Sequence, residues 1–542
     1  MRRWNGWGDD SVTGELKTEA RAFLAEAVGA PTPPDDASLA DVCAKIEHEQ
    51  ASRFSTMPMA LHQLVSTRAE DRLRSGFGQS LGDWLHLRFG VPGRLTDGVA
   101  YPEHAGEVRE LLDWVSANDV VVIPCGGATS VAGHLAPPAN DARPVLTMNL
   151  SRMRALIELD ETAQLARFQA GVAGPDLEAQ LRAKGFMLGH FPQSFEYATL
   201  GGWIATRSSG QQSLRYGRIE QLFAGGLVET PRGQLSIPPF PASAAGPDLR
   251  EWVLGSEGRL GVITEATVRV SQLPHAERFV GIFLPDWNSG IAAARELAQS
   301  RVPLSMLRLA NPIETLTTLQ LAGHATQIGW LERYLSLRGA GDGKCLMFIG
   351  LTGSAQQVAQ YATQAKAIVR GHGGVSTGTL LGKKWAANRF AGVYLRNALW
   401  EAGYAVDTME TAVPWSATTN TMNAMETAGR EALAGFGERC HAYTHLSHVY
   451  PTGSSVYSTF VFRIGADFAA AWQRWMALKR CVSSAIVASG GTISHQHGVG
   501  RDHAPYLPAE KGAEGMAAIG AMFQHFDPQR ILASGNLTDT AP

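Results

Sequence analysis

Cysteine is scarce, and its spacing carries no pattern. The chain has five cysteines in 542 residues, at Cys43, Cys125, Cys345, Cys440 and Cys481, none in a CxxC or finger-like spacing. A disulfide framework and a structural zinc site are therefore not expected, and a reducing compartment is. Charge of one sign is equally lacking: 47 basic against 50 acidic residues leave −3, which gives no electrostatic reason to bind nucleic acid. No uncharged apolar run reaches the roughly 18–20 residues that a bilayer span requires. Arg2 and Arg3 lead into polar sequence rather than an apolar stretch, so no secretory leader is expected. Low-complexity tracts and short repeats are missing too. An apolar share of 45% with 18% charged residues excludes wholesale disorder, collagen and coiled coil. What remains is a globular chain long enough for two or three cores.

Glycine, at 58 residues, is what the chain has in plenty, and much of it falls between regular elements. Residues 9–90 read as a helical lead-in, its GELKTEARAFLAEAVGA stretch closed by the proline-rich APTPPDD. A new unit starts near Gly93 with a helix whose Val108, Leu111, Leu112 and Val115 share one face. A buried strand Val120–Pro124 follows. From His275 onward, strand–helix–strand units recur three times: FVGIFLP to MLRLA; CLMFIGL, its helix and a glycine turn; and SVYSTFVFRI to GTISH. They predict an antiparallel sheet backed by helices. A last helix spans about 508–526.

Three glycine-rich segments stand out. In Pro124-Cys125-Gly126-Gly127-Ala128-Thr129-Ser130, small residues after a strand let backbone N–H groups converge on one anion, as a pyrophosphate needs, and two hydroxyls add donors. The spacing is neither GxGxxG nor Walker A, and such a loop alone is more often a plain turn. The second, residues 191–217, sets Thr199, Gly201, Gly202, Thr206, Ser208, Ser209 and Gly210 around Trp203 and Ile204. That is either a solvated loop or a surface for a flat ligand. The third, GSEGRLGVITEATVRV at 255–270, reads as a tight turn entering a β-branched strand.

In this order the three segments resemble the FAD domain of the vanillyl-alcohol oxidase/PCMH-type flavoproteins over about residues 93–273. The resemblance implies an α+β fold. A helical N-terminal segment (1–92) would precede a two-subdomain PCMH-type FAD-binding domain (93–273). An α+β substrate or cap domain with an antiparallel sheet (274–507) and a C-terminal helix and tail returning to the FAD domain (508–542) would follow. It implies noncovalent FAD, since no residue marks a tether. The FAD would be held by Pro124, Cys125, Gly126, Gly127, Ala128, Thr129 and Ser130, then by Gln193, Ser194, Phe195, Glu196, Tyr197, Ala198, Thr199, Gly201, Gly202, Thr206, Arg207, Ser208 and Ser209. Glu257, Gly258, Arg259, Leu260, Gly261, Val262 and Ile263 would complete the site. The chain departs from the pattern at Ala128 (usually Gly), Gln193 (usually acidic) and Arg259 (commonly Thr), where a cation beside the cofactor would shift affinity or redox poise.

Four further segments narrow the resemblance to alkyldihydroxyacetonephosphate synthases: RWNGWG (3–8), VYLRNALWEAGYAVDTMETAVPW (393–415), SHVYPTGSSVYSTFVF (447–462) and ISHQHGVGRDHAPYL (493–507). The family exchanges the acyl group of acyl-dihydroxyacetone phosphate for a fatty alcohol through bonding of flavin N5 to C1, with no net redox. That implies catalytic roles for Tyr457, His495, His497, Arg396 and Arg308. Tyr457 matches the acid/base tyrosine, whose phenol, near ~10 when unperturbed, must be lowered by neighbouring charge or relayed; a strand tyrosine is otherwise a core ring. Arg396 and Arg308 would hold phosphate or carboxylate in bidentate fashion, although a lone arginine is more often a surface ion pair. His495 and His497 alternate, so a strand would point both to one side; no third ligand makes them a metal site. Gln496 stands in the middle of the family's triple-histidine run, keeping hydrogen bonding and losing proton chemistry. His445 and His448 read as ordinary polar core partners.

The alternative is an FAD-linked oxidase or dehydrogenase of a 2-hydroxy acid; a flavin-binding scaffold without catalysis is a third reading. The partners implied are lipid substrates, with peripheral membrane contact through the lead-in; a homodimer is left open. TDTAP at the end is not a peroxisomal SKL signal, and a cytoplasmic protein is expected.

Overall fold

The computed structural model describes all residues but 32, 55–56, 139–140, 323–324, 533–534 and 539–542. The last four residues of the TDTAP tail therefore lie outside the described residues, as does the threonine of APTPPDD. The chain folds as α+β around three main sheets. The first has the order Val65–Ser66, Gly98–Ala100, Val145–Asn149, Val121–Cys125, with its last three strands parallel. The helix Ala105–Ala117 covers it with Val108, Leu111, Leu112 and Val115, all buried. The second is antiparallel, in the order Leu156–Asp160, Leu165–Gln169, Val262–Arg269, Phe223–Thr230, Gly233–Ile237.

The third sheet positions the site. Seven antiparallel strands run in the order Val375–Ser376, Ala276–Leu284, Cys345–Gly353, Met306–Ala310, His441–Leu446, Gly453–Arg463, Tyr404–Pro414. Gly453–Arg463 is buried at every residue except Arg463, so both faces of this strand are covered. Period-two alternation divides it. Phe460 packs so closely on Gly429 of the helix Thr418–Ala434 that a β-carbon there would strike its ring. Tyr457 and Thr459 face a cavity, and Val461 meets Leu24 and Val28 of the lead-in helix Thr18–Val28.

The lead-in is helical as predicted, and it is sewn to the rest: the Trp84 ring meets Trp400 edge-on at 6.2 Å. The terminal helix Leu507–Phe526 breaks at Gly512, where φ is +67°, and ends with Phe526 against Trp252. Two local expectations change. Residues 199–210 hold a helix, Leu200–Thr206, because the Thr199 hydroxyl accepts from Gly202 N–H at its first turn. GTISH (491–495) forms no strand: Thr492 N–H reaches Ala412 O of the strand Tyr404–Pro414, but the pairing goes no further, because Ile493 N–H goes to Glu510 and His495 N–H to Glu410. No helix among the described residues is long and apolar enough to cross a membrane.

Candidate functional site

A cavity of about 590 Å³ lies between the glycine-rich segments and the open face of the seven-stranded sheet. Its glycine wall depends on the absence of side chains. A β-carbon on Gly126 would meet Thr199 Oγ1, and one on Gly127 would run into the Tyr197 carbonyl oxygen. Ala128 holds φ at +49°, the left-handed region where glycine is favoured, so this alanine bears backbone strain as well as an extra methyl. The Arg2 guanidinium props the loop, donating to Gly127 O at 2.7 Å and Ala128 O at 3.2 Å. Trp7 of the RWNGWG segment lines the cavity, pinned by two hydrogen bonds between its backbone and the Asn397 amide.

Four strands contribute one residue each to a row: Ala310, His445, Tyr457 and Glu410 are successive cross-strand partners, and the first three line the cavity. The His445 ring stacks on Tyr457 with centroids 4.8 Å apart, and His497 stands edge-on to Tyr457 at 5.5 Å. Tyr457 donates its hydroxyl proton to Thr408 Oγ1 at 3.0 Å. Burial pushes its phenol up to about 12; Thr408 and Arg396 pull the other way and do not prevail. The lowering expected from neighbouring charge is therefore overturned, and a relay is the remaining route.

Glu410 anchors the histidine loop. Its Oε1 accepts from Ser494 Oγ at 3.2 Å and from the backbone N–H groups of His495, Gln496 and His497 at 3.1, 2.8 and 2.9 Å. Burial opposes its charge, yet His497, His495 and these donors hold the carboxyl well below its usual range. On the far side, Glu257 accepts from Val499 and Gly500 N–H at 2.6 and 2.8 Å. Two buried carboxylates thus grip one loop. Arg396 lies over the Trp84 ring at 4.4 Å and donates to Gln79 O at 2.8 Å. Arg308 pairs with Glu314 at 2.5 Å. Burial pushes the Glu314 carboxyl up, but His445 and Arg308 outweigh it and hold the group at about 2.

Of the sequence-predicted site residues, the whole run Pro124–Ser130 reaches the cavity, as do Gln193, Ser194, Ala198, Thr199, Gly201, Gly202, Thr206, Ser208, Ser209, Glu257, Gly258, Gly261 and Ile263. So do Tyr457, His497, Arg396 and Arg308. The others do not. Phe195 stacks on Phe390, Glu196 accepts the Tyr394 hydroxyl, and Tyr197 lies under Arg2. Arg207, in the left-handed region at +52°, pairs with Glu251 at 2.6 Å. Leu260 and Val262 are fully buried in hydrophobic clusters. Arg259, expected beside the cofactor, donates to Asn536 O and Thr538 Oγ1 instead. Ile204 faces the core rather than a ligand. His495 turns from the cavity to Tyr450 Oη and Arg218, because in a turn wrapped on Glu410 alternate residues need not share a side.

Sequence reasoning missed Glu410, Glu314 and His445. The last had a signal: His441, Tyr443 and His445 alternate in HAYTHL, and the strand His441–Leu446 carries them on one face. FAD is a group this site fits. Trp203 Nε1, Ser209 Oγ and Gln496 Oε1 belong to cavity-lining residues and are buried with no partner among the described residues. The Cys125 thiol, raised to about 11 by burial, stays protonated.

Comparison with known proteins bears on the whole chain. The family model for FAD linked oxidases, C-terminal domain, matches residues 273–537, and the FAD binding domain matches 96–236. The alkyldihydroxyacetonephosphate synthase of Caenorhabditis elegans is 30% identical over 572 residues, covering 99% of this chain and 95% of the relative. That of Dictyostelium discoideum is 28% identical, covering 99% and 93%. A solved alkyldihydroxyacetonephosphate synthase structure superposes with a TM-score of 0.82 at 24% identity over 98% of both chains, which shows the fold.

Proposed function

The chain belongs to the alkyldihydroxyacetonephosphate synthases, an FAD-dependent family, and on that premise we propose how its own residues perform the exchange of an acyl group for a fatty alcohol on acyl-dihydroxyacetone phosphate. One observation supports the assignment of roles: the glycine-rich loops, His445, Tyr457 and His497 line a single cavity. FAD would be held noncovalently along Pro124–Ser130, Thr199–Gly202 and Ser208–Ser209. The protonated Cys125 thiol supports this, and so does His134, whose ring nitrogens already face Ser130 and Glu257. When bound, FAD supplies an electron-rich ring nitrogen able to bond C1 and release it without net electron transfer. Arg308 and Arg396 supply the cations that orient the substrate's phosphate and leaving carboxylate. His497 and Tyr457 hold or pass a proton at C1, with Glu410 fixing the loop that carries His497.

The division into a lead-in, an FAD-binding unit, a cap unit and a returning C-terminal helix is part of the proposal. So is peripheral contact with a lipid surface, for which a support lies outside the lead-in: the helix Ala325–Leu337 exposes Trp330, Tyr334 and Leu337. It follows the helix Pro312–Ala322, whose Thr317 and Leu321 line the cavity. The test is incubation of FAD-loaded protein with acyl-dihydroxyacetone phosphate and labelled hexadecanol. Alkyl product and free fatty acid, released without oxygen uptake, are expected. No alkyl product, together with lasting bleaching of the flavin by a 2-hydroxy acid, would move the assignment to the oxidase alternative.

A further inference from the structure

A histidine buried for packing commonly has both ring nitrogens engaged; His445 has one. Its Nδ1 stands 2.9 Å from Glu314 Oε2 and 3.2 Å from Arg308 Nη2. Arg308 spends that same nitrogen on Glu314 Oε1 at 2.5 Å. An ionised carboxylate only accepts, so Nδ1 must carry the ring hydrogen and Nε2 is left with its lone pair. No described residue hydrogen-bonds Nε2, which is not sealed among the buried unpartnered atoms, and His445 lines the cavity. The ring is fixed from two sides: by Glu314 of the helix Pro312–Ala322, which Arg308 of the strand Met306–Ala310 holds in place, and by Tyr457 stacked from the strand Gly453–Arg463. A carboxylate holding one imidazole nitrogen so that the other can act as a base is the logic of a catalytic dyad.

Resting on the function proposed above, we propose that His445 is a catalytic residue, positioned by Glu314, that takes the hydroxyl proton of the incoming fatty alcohol on Nε2. The alcohol oxygen supplies the electron pair of the new C1–O bond while its O–H bond breaks toward Nε2. The departing carboxylate keeps the pair of the C1–O bond that is lost, and the proton passes on to solvent. Nothing is oxidised or reduced. Tyr457 is the poorer acceptor, since its hydroxyl is committed to Thr408 and its phenol lies at about 12. Burial and Arg308 push the His445 imidazolium down while Glu314 opposes them, which leaves the ring neutral and ready to accept at neutral pH.

The test uses FAD-loaded protein with palmitoyl-dihydroxyacetone phosphate and hexadecanol. His445→Gln should keep flavin content and acyl-substrate KM, lower kcat about 10²- to 10³-fold, and erase the acid limb of the pH–rate profile. Glu314→Gln should lower kcat about tenfold and move that limb to lower pH, because the carboxylate that favours the imidazolium is gone. Independently of turnover, ¹⁵N NMR of histidine-labelled protein should show the Nδ1–H tautomer of His445 in the parent and a mixed tautomer in Glu314→Gln. An active parent whose His445→Gln variant keeps over about a third of kcat with an unchanged profile overturns this inference and leaves the proposed function standing. A parent that makes no alkyl product removes both. Should His445→Gln fail to fold, Glu314→Gln decides: an unmoved acid limb with an unmixed tautomer overturns the dyad.

Discussion

At the scale of single residues, the site asks for proton transfer from groups that burial has made reluctant. Tyr457 is the sharpest case. With its phenol at about 12, its proposed part in catalysis requires a hydrogen-bonded relay to a neighbour. Tyr457→Phe deletes one oxygen and one bond to Thr408, which costs on the order of 1 kcal/mol of stability. The same deletion should lower kcat about 10²-fold or more while flavin content is retained. Steady-state kinetics set beside urea unfolding checks both numbers, and a variant of full activity would strip Tyr457 of its role. Tyr457, Arg396 and His497 were legible because each sits in a contiguous motif. His445, Glu314 and Glu410 were not, because their meaning arises only when strands far apart in the chain come into register. Arg259 misled for a related reason: a motif position says which loop a residue occupies, and not that its long side chain turns toward Asn536.

At the scale of elements, the third sheet places Tyr457 and His445 while loops place the cofactor wall and His497, and small changes in those loops should have large effects. Gly127→Ala would force a methyl into the Tyr197 carbonyl oxygen. The two segments of the cofactor wall must then part, and FAD binding should weaken at least about 100-fold, on the order of 3 kcal/mol. Titration of apoprotein with FAD, followed by fluorescence quenching, measures that loss. Glu410→Ala strands the Ser494 hydroxyl and three backbone N–H groups. Leaving a buried donor unmet costs about 1–3 kcal/mol; only the His495 bond is fully buried and the other three are part-buried, within reach of water, so a destabilisation of about 3 kcal/mol is expected. Amide exchange at residues 495–497 should quicken at least about tenfold. Exchange mass spectrometry on the peptide spanning 493–502 reads it directly, and unchanged protection would deny Glu410 its anchoring role. The same loop explains why GTISH misreads as a strand: its alternation is real, but after Thr492 two carboxylates, Glu510 and Glu410, take the Ile493 and His495 amides that a ladder would need.

At the scale of the whole molecule, regular elements followed from pattern because hydrophobic periodicity is local, as in the helix Ala105–Ala117, whereas the stitching of the lead-in to the third sheet through Leu24, Val28 and Val461 is a long-range fact that no window of sequence contains. That stitching buries many ionisable groups around one cavity, and their combined titration sets how the fold answers to pH. His190 and His441 are driven down to about 3 and about 4 by burial, and His445 and His497 are lowered for the same first reason. A histidine whose folded pKa is depressed binds its proton more readily when unfolded, so stability is lost as pH falls below the unfolded value of 6.5. Glu314, held at about 2, adds a loss of the same sign below its ordinary value of 4.5. Asp83 and Asp502, raised to about 6 by burial, work oppositely, since their protonated folded forms favour folding between about 6 and 3.8 and so blunt the slope there. The lowered histidines act over a wider range than these carboxyls and outnumber His134, which Glu257 holds above 6.5 against burial and which therefore also blunts the slope. The melting temperature should therefore be level from about pH 8 to 7, fall once pH drops below about 6.5, and fall less steeply between about 6 and 4 than the histidines alone would dictate. Calorimetry in a pH series with FAD held in excess checks this, because bound cofactor adds a constant of about 2.7 kcal/mol at 100 times its Kd. A melting temperature that rises on acidification through 6.5 would show that the cavity histidines are charged in the folded protein, and with that the neutral, proton-accepting state of the His445 and His497 rings would be lost.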